Sequence, residues 1–142
     1  MKNDIDIDIT IPSHTRYLRM IGRIGEKVAR EIDCPEAIRE ALPDQLAIVL
    51  TEGLVNAIKH ANSAEPEREI HVRINVSSKI LVVRIYDNGA GFDLDTVPTP
   101  CFTSSGIEDK GRGIFILRSL MDTVKYTRSD NGNVLEMKKN LA

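Results

Sequence analysis

From Asp4 to Ile11, isoleucine alternates with polar residues, which puts Ile5, Ile7, Ile9 and Ile11 on one face with the two-residue period of a half-buried strand. Pro12 ends that pattern and the period changes. Ser13 is placed to cap a helix in which Tyr17, Leu18, Ile21, Ile24, Val28 and Ile32 recur at three- and four-residue steps, an apolar stripe that needs a sheet beneath it. Cys34 and Pro35 interrupt this helix, and a short helical piece from Pro35 to Leu42 leads to Pro43. Proline suits the first turn of the longer helix that the pattern carries to about Asn62.

Between Glu69 and Asp87 the two-residue period returns twice, as Ile70/Val72/Ile74/Val76 and Leu81/Val83/Ile85. The polar Ser77-Ser78-Lys79 between them predicts a hairpin. From Phe92 to Lys110 no period holds and two prolines intervene; an irregular stretch this long is often a lid or binding loop. Ile114, Phe115, Leu117, Leu120 and Met121 then mark a helix. Val124 to Arg128 and Val134 to Lys138 form a last hairpin around Asp130-Asn131-Gly132. The order predicts an α+β two-layer sandwich: a mixed, mostly antiparallel sheet with helices on one face.

The long helix carries a second pattern. At about 100° per residue, Glu52, Asn56, Lys59 and His60 fall within an arc of roughly 100°, with Gln45 and Ser63 in the same sector. Leu46, Val49, Leu50, Gly53, Leu54, Ala57, Ile58 and Ala61 fill most of the rest. A solvated face explains such a stripe when it stands alone. Two glycine-containing segments accompany it. In YDNGAGFD, Tyr86 to Asp93, an acid ends a strand and Gly89 and Gly91 follow, which suits either a turn or the close approach of a flat ligand to backbone. In GRGIF, Gly111 to Phe115, glycines precede a helix whose first N–H groups and dipole can hold phosphate oxygens.

Composition narrows the alternatives. A chain of 142 residues predicts one domain, 1–142, with a core that needs neither disulfide nor structural metal. A formal charge of −2 offers no excess of cations for a nucleic acid. Cys34 and Cys101 lack metal or redox spacing, and His14 and His71 have no partners in sequence, so all four read as structural or surface residues. With no apolar run of membrane length and no signal-peptide pattern at MKNDIDID, the expected location is the cytoplasm, away from membranes.

Taken together and in order, the E…N…KH set of TEGLVNAIKHAN, then DNGAGFD, then GRGIFILRSLMD, resemble the three nucleotide-binding boxes of the Bergerat-fold (histidine kinase-like) ATPases. The small size and the LRSLMD ending are similar to the anti-sigma serine/threonine kinases of the RsbW type. The resemblance implies ATP and Mg²⁺ as cofactors and assigns roles. Asp87 would accept a hydrogen bond from the adenine amine. Gly89 and Gly91 would keep side chains out of the base pocket. Asn56 would be the sole protein ligand of Mg²⁺, and Glu52 the general base. Lys59, Gly111, Arg112 and Gly113 would contact phosphates. His60 would assist or pack. Residues 93–110 would form the ATP lid, with Thr103, Ser104, Ser105 and Gly106 as phosphate or hinge positions. Where the family places a Gly-Thr pair, this chain has Gly132-Asn133, from which weaker adenine anchoring is expected.

The activity so implied is ATP-dependent serine/threonine phosphorylation by an anti-sigma factor. Its partners would be a sigma factor and a STAS-type anti-anti-sigma protein, and it would act as a homodimer in a partner-switching pathway. A nucleotide-gated binding module with little kinase activity is the competing class, against which Glu52 argues. A histidine kinase catalytic domain is a weaker third, because the pattern leaves no room for phospho-accepting paired helices.

Overall fold

The computed structural model describes residues 4–60, 68–87, 102–103, 106–107, 112–129 and 132–142. Strands β1 (Ile5–Pro12), β2 (Glu69–Ser77), β3 (Ile80–Asp87), β6 (Thr123–Ser129) and β7 (Gly132–Asn140) form one sheet in the order β1-β2-β3-β7-β6. Helices α1 (Leu18–Arg30), α2 (Glu36–Arg39), α3 (Leu42–His60) and α4 (Arg112–Leu120) supply the second layer. The α+β sandwich expected from the periodicities is therefore the observed architecture. Each pairing in the five-stranded sheet is antiparallel. The reason lies in the excursion between β1 and β2. Gly22 lies against Thr51, and Gly25 against Leu46, Ala47 and Leu50, so α1 and α3 run antiparallel and return the chain to the sheet end it left. There the Ser13 amide donates to the Arg68 carbonyl at 2.8 Å.

Register puts the strand periodicities to use. Ile5, Ile7, Ile9 and Ile11 oppose Val76, Ile74, Val72 and Ile70, and Val83 and Ile85 oppose Met137 and Leu135, so one face of the sheet is mostly apolar. Ile21, Leu46, Val49, Leu50, Leu54 and Leu117 bury against it. Burial of this kind contributes roughly 1.5–3 kcal/mol per large side chain. Gly53 lets α3 sit close to the sheet, because a Cβ there would meet the Ile85 Cδ1 and lie 3.4 Å from Met137 Cε.

Local ends differ in places from the periodicity. Ser13 does not cap α1; the His14 ring accepts from the Arg16 amide at 3.0 Å and starts a 3-10 turn, Thr15–Tyr17, that leads into the helix. Pro35 caps a shorter α2 than Pro35 to Leu42. The β2–β3 turn holds Ser78 and Lys79 at φ 53° and 62°, the left-handed geometry of a two-residue hairpin. The Leu141 amide donates to the Lys79 carbonyl at 2.8 Å and steadies that turn. Within the stretch read as irregular, β4 (Phe102–Thr103) pairs with β5 (Gly106–Ile107), two bridges too short to create a period.

The opposite face of the sheet is polar. Arg73 makes two hydrogen bonds to the Asp6 carboxylate, at 3.1 and 2.9 Å, which hold that acid below its ordinary range. Arg84 donates to Glu136 at 2.8 Å and depresses that acid in the same way. Among the described residues, no helix is long and apolar enough to cross a membrane.

Candidate nucleotide site

β3 ends on Asp87 and β7 begins with Gly132-Asn133, and the register sets Asp87 directly opposite Asn133. Both side chains continue the inward-facing rows, after Leu81/Val83/Ile85 and before Leu135/Met137, so two polar groups cap an apolar stripe. Asp87 is 5% exposed and Asn133 2%, and Asn133 Nδ2 donates to Asp87 Oδ1 at 2.9 Å. A buried carboxylate costs several kcal/mol unless hydrogen-bonded, so this contact keeps an acceptor at the strand end. Gly132 enters β7 at φ 134°, a conformation that a side chain would strain.

The second cluster lies where α3 meets α4. Glu52 and Asn56 are half-buried, one turn apart on α3, and Asn56 Nδ2 donates to the Glu52 carbonyl at 3.2 Å. With its nitrogen committed to the helix backbone, the amide oxygen is the atom left able to ligate a cation. Gly113, in the first turn of α4, closes the cluster. A Cβ there would stand 3.1 Å from Glu52 Oε2 and 3.2 Å from Asn56 Nδ2. A side chain there would push both groups back by a few tenths of an ångström. Arg112 begins the same helix and is exposed, as is Lys59 near the end of α3.

Two features bring the clusters to one end of the sheet. α3 runs toward the end where β3 stops and β7 starts, since the chain leaves α3 to begin β2 there beside Pro12. Gly53 rests on Ile85 and Leu135, one pleat from Asp87 and Asn133, while Asn56 lies three residues further along the helix in that direction.

The sequence-selected residues thus divide. Glu52 and Asn56 lie against Gly113; Asp87 pairs with Asn133 at the ends of β3 and β7; Lys59 and Arg112 are exposed. Gly89, Gly91, Gly111, Cys101 and most of the 93–110 lid lie outside the described residues, as does the side chain of His60. His71, read as structural, is in a network on the other face. Its ring pairs with the Asp8 carboxylate and, at 3.2 Å, with the Thr10 hydroxyl, and it stands edge-on to Tyr86. A cavity of about 240 Å³ opens beside it, lined by Thr10, Glu69, His71, Tyr86 and Asp87. It includes Asp87 but none of Glu52, Asn56 and Gly113. Sequence reading flagged Asn133 only as a substitution; its bond to Asp87 needs a register between residues 46 positions apart.

The profile described as the Histidine kinase-like ATPase domain matches residues 11–139, and the chain belongs to that family. Within the family its kinship is with the RsbW type. It is 29% identical to the serine-protein kinase RsbW of Bacillus velezensis over 99% of this chain and 89% of that one. Against the serine-protein kinase RsbW of Listeria innocua it is 34% identical over 70% of this chain and 66% of that one. Among solved structures, the RsbU and RsbW domains of Rv1364c from Mycobacterium tuberculosis superpose with a TM-score of 0.66 at 12% identity. That match covers 96% of this chain and 32% of the other, and it speaks for the fold.

Proposed function

We propose that this chain is an ATP-dependent serine/threonine protein kinase that acts as an anti-sigma factor and phosphorylates a STAS-type antagonist. The observation that carries the reading is the junction of Glu52, Asn56 and Gly113 beside the buried Asp87–Asn133 pair. In this reading Asp87 accepts from the adenine amine, and the α4 N-terminus with Arg112, Gly113 and Lys59 neutralises phosphate charge. The donor chemistry fits Mg²⁺: Asn56 supplies one amide oxygen, Oδ1, its nitrogen being committed to the Glu52 carbonyl. Phosphates and water would complete the octahedron this ion demands. Bound there, Mg²⁺ supplies charge neutralisation on the transferred phosphoryl group. Among the described residues no group of three acidic, histidine or cysteine ligands is present, and a nucleotide-borne Mg²⁺ requires none.

Glu52, one turn before the ligand, takes the proton from the attacking serine hydroxyl. The products are then ADP and a phosphoserine on the partner. Names carried by the RsbW relatives support the serine specificity. Assembly as a homodimer and residence in the cytoplasm belong to the same reading. The test is incubation of the purified protein with labelled ATP and a set of STAS-domain proteins. Transfer to a serine of one of them, lost in Glu52→Gln, is expected. Normal ATP binding without transfer to any of them contradicts the kinase.

A further inference from the structure

We propose that Lys139 is a positioning residue for the phosphate end of the site: its ammonium, bonded to the last carbonyl of α4, sets where that helix stands and so keeps Gly113 against Glu52 and Asn56. The inference rests on the reading of that junction as the Mg²⁺ and phosphate end. β7 alternates, and its helix-facing row runs Asn133, Leu135, Met137, Lys139, the last paired with the buried Leu81. A cation in an apolar row must carry its ammonium to water or to an acceptor. Lys139 Nζ donates to the Leu120 carbonyl at 3.0 Å.

Leu120 ends α4, so its carbonyl is one that the helix leaves without a donor of its own, and a cation there also meets the negative end of the helix dipole. Just beyond the helix the Asp122 amide donates to the Lys138 carbonyl at 2.8 Å, and the Asn140 amide to Asp122 Oδ2 at 2.6 Å. Those bonds tie the following turn to β7; the Lys139 bond ties the helix itself. Ile114 and Leu117 bury one face of α4, but apolar contact has no direction and sets position along the axis weakly. A hydrogen bond has a length and an angle. Gly113 and Leu120 stand near opposite ends of a nine-residue rod about 13 Å long. At the Gly113 end the fit to Glu52 and Asn56 is close enough that one added Cβ would displace them by a few tenths of an ångström. Displacement at the anchored end is therefore transmitted to the groups that handle metal and phosphate.

The experiment titrates a nonhydrolysable ATP analogue into wild type, Lys139→Met and Lys139→Arg, with and without Mg²⁺, well below the melting temperature of each protein. Lys139→Met keeps the length of the side chain and removes the donor. Its affinity without Mg²⁺ should stay within about 2-fold of wild type, while the gain in affinity on adding Mg²⁺ should shrink about 10-fold. Lys139→Arg retains a charged donor and should recover that gain to within a few-fold. A role in stability alone would lower the melting temperature of Lys139→Met and leave the Mg²⁺ gain of the folded protein untouched. If methionine prevents folding, Lys139→Gln, shorter and uncharged, is read in the same way. A wild-type Mg²⁺ gain in the folded neutral variant, or an arginine variant no better than the neutral one, overturns the role of Lys139 alone. Wild type that binds the analogue equally with and without Mg²⁺ overturns the site reading and this inference together.

Discussion

The two halves of the candidate site are built differently. Asp87 and Asn133 are held by strand register, buried, hydrogen-bonded to each other and continuous with the apolar rows of β3 and β7. Glu52 and Asn56 are half-buried, and they meet Gly113 only because the start of α4 comes up against α3. The Asp87–Asn133 pair, the proposed base end, is therefore fixed by the same pairings that make the fold. The Glu52–Asn56–Gly113 cluster, the proposed phosphate end, depends instead on a contact between α3 and α4 outside the sheet. Recognition of the base should then be coupled to stability, and chemistry should be separable from it.

Substitutions should expose that asymmetry. Glu52→Gln keeps size and burial, so ATP affinity and melting should change little. Phosphoryl transfer, followed by single-turnover labelling, should fall about 10²–10⁴-fold, the range of a lost general base. Gly113→Ala adds a Cβ at 3.1 Å from Glu52 Oε2 and 3.2 Å from Asn56 Nδ2, so these side-chain ends must give way. Turnover and Mg²⁺ dependence should drop about 10-fold with stability within ~1 kcal/mol, since helix propensity improves as the contact worsens. A loss of fold in Gly113→Ala would make the junction as integral as the sheet.

The smallest effect belongs to the open face. Arg84 holds Glu136 below its ordinary value of 4.5. A depressed native value stabilises the protein above that pH, and the contribution is lost as pH falls below 4.5 through the native value. Glu136→Gln should cost about 0.5 kcal/mol at pH 7, as befits a pair still partly exposed, and the difference from wild type should vanish in acid. Nucleotide binding should not respond.

How much of this was legible in the sequence follows from what periodicity reports. Alternating isoleucines and the stripes on α1 and α3 name the face a segment buries, and those faces are the observed ones. Glu52 and Asn56 were visible because one helical turn separates them in sequence as in space. The Asp87–Asn133 bond was not, because it depends on β7 pairing with β3 rather than following it. Periodicity gives Gly22, Gly25 and Gly53 no special role; each marks a close approach whose partner lies elsewhere in the chain. His14 was overlooked as a cap because its ring nitrogen does the work usually given to Ser13.

The most direct measurement is titration of a nonhydrolysable ATP analogue into wild type, Asp87→Ala and Asn56→Ala, each with and without Mg²⁺. Asp87→Ala should lose about 100-fold or more in affinity under both conditions, through loss of the only charged acceptor proposed for the base. Asn56→Ala should match wild type without Mg²⁺ and gain nothing when it is added. Indistinguishable titrations for all three folded proteins would contradict the site.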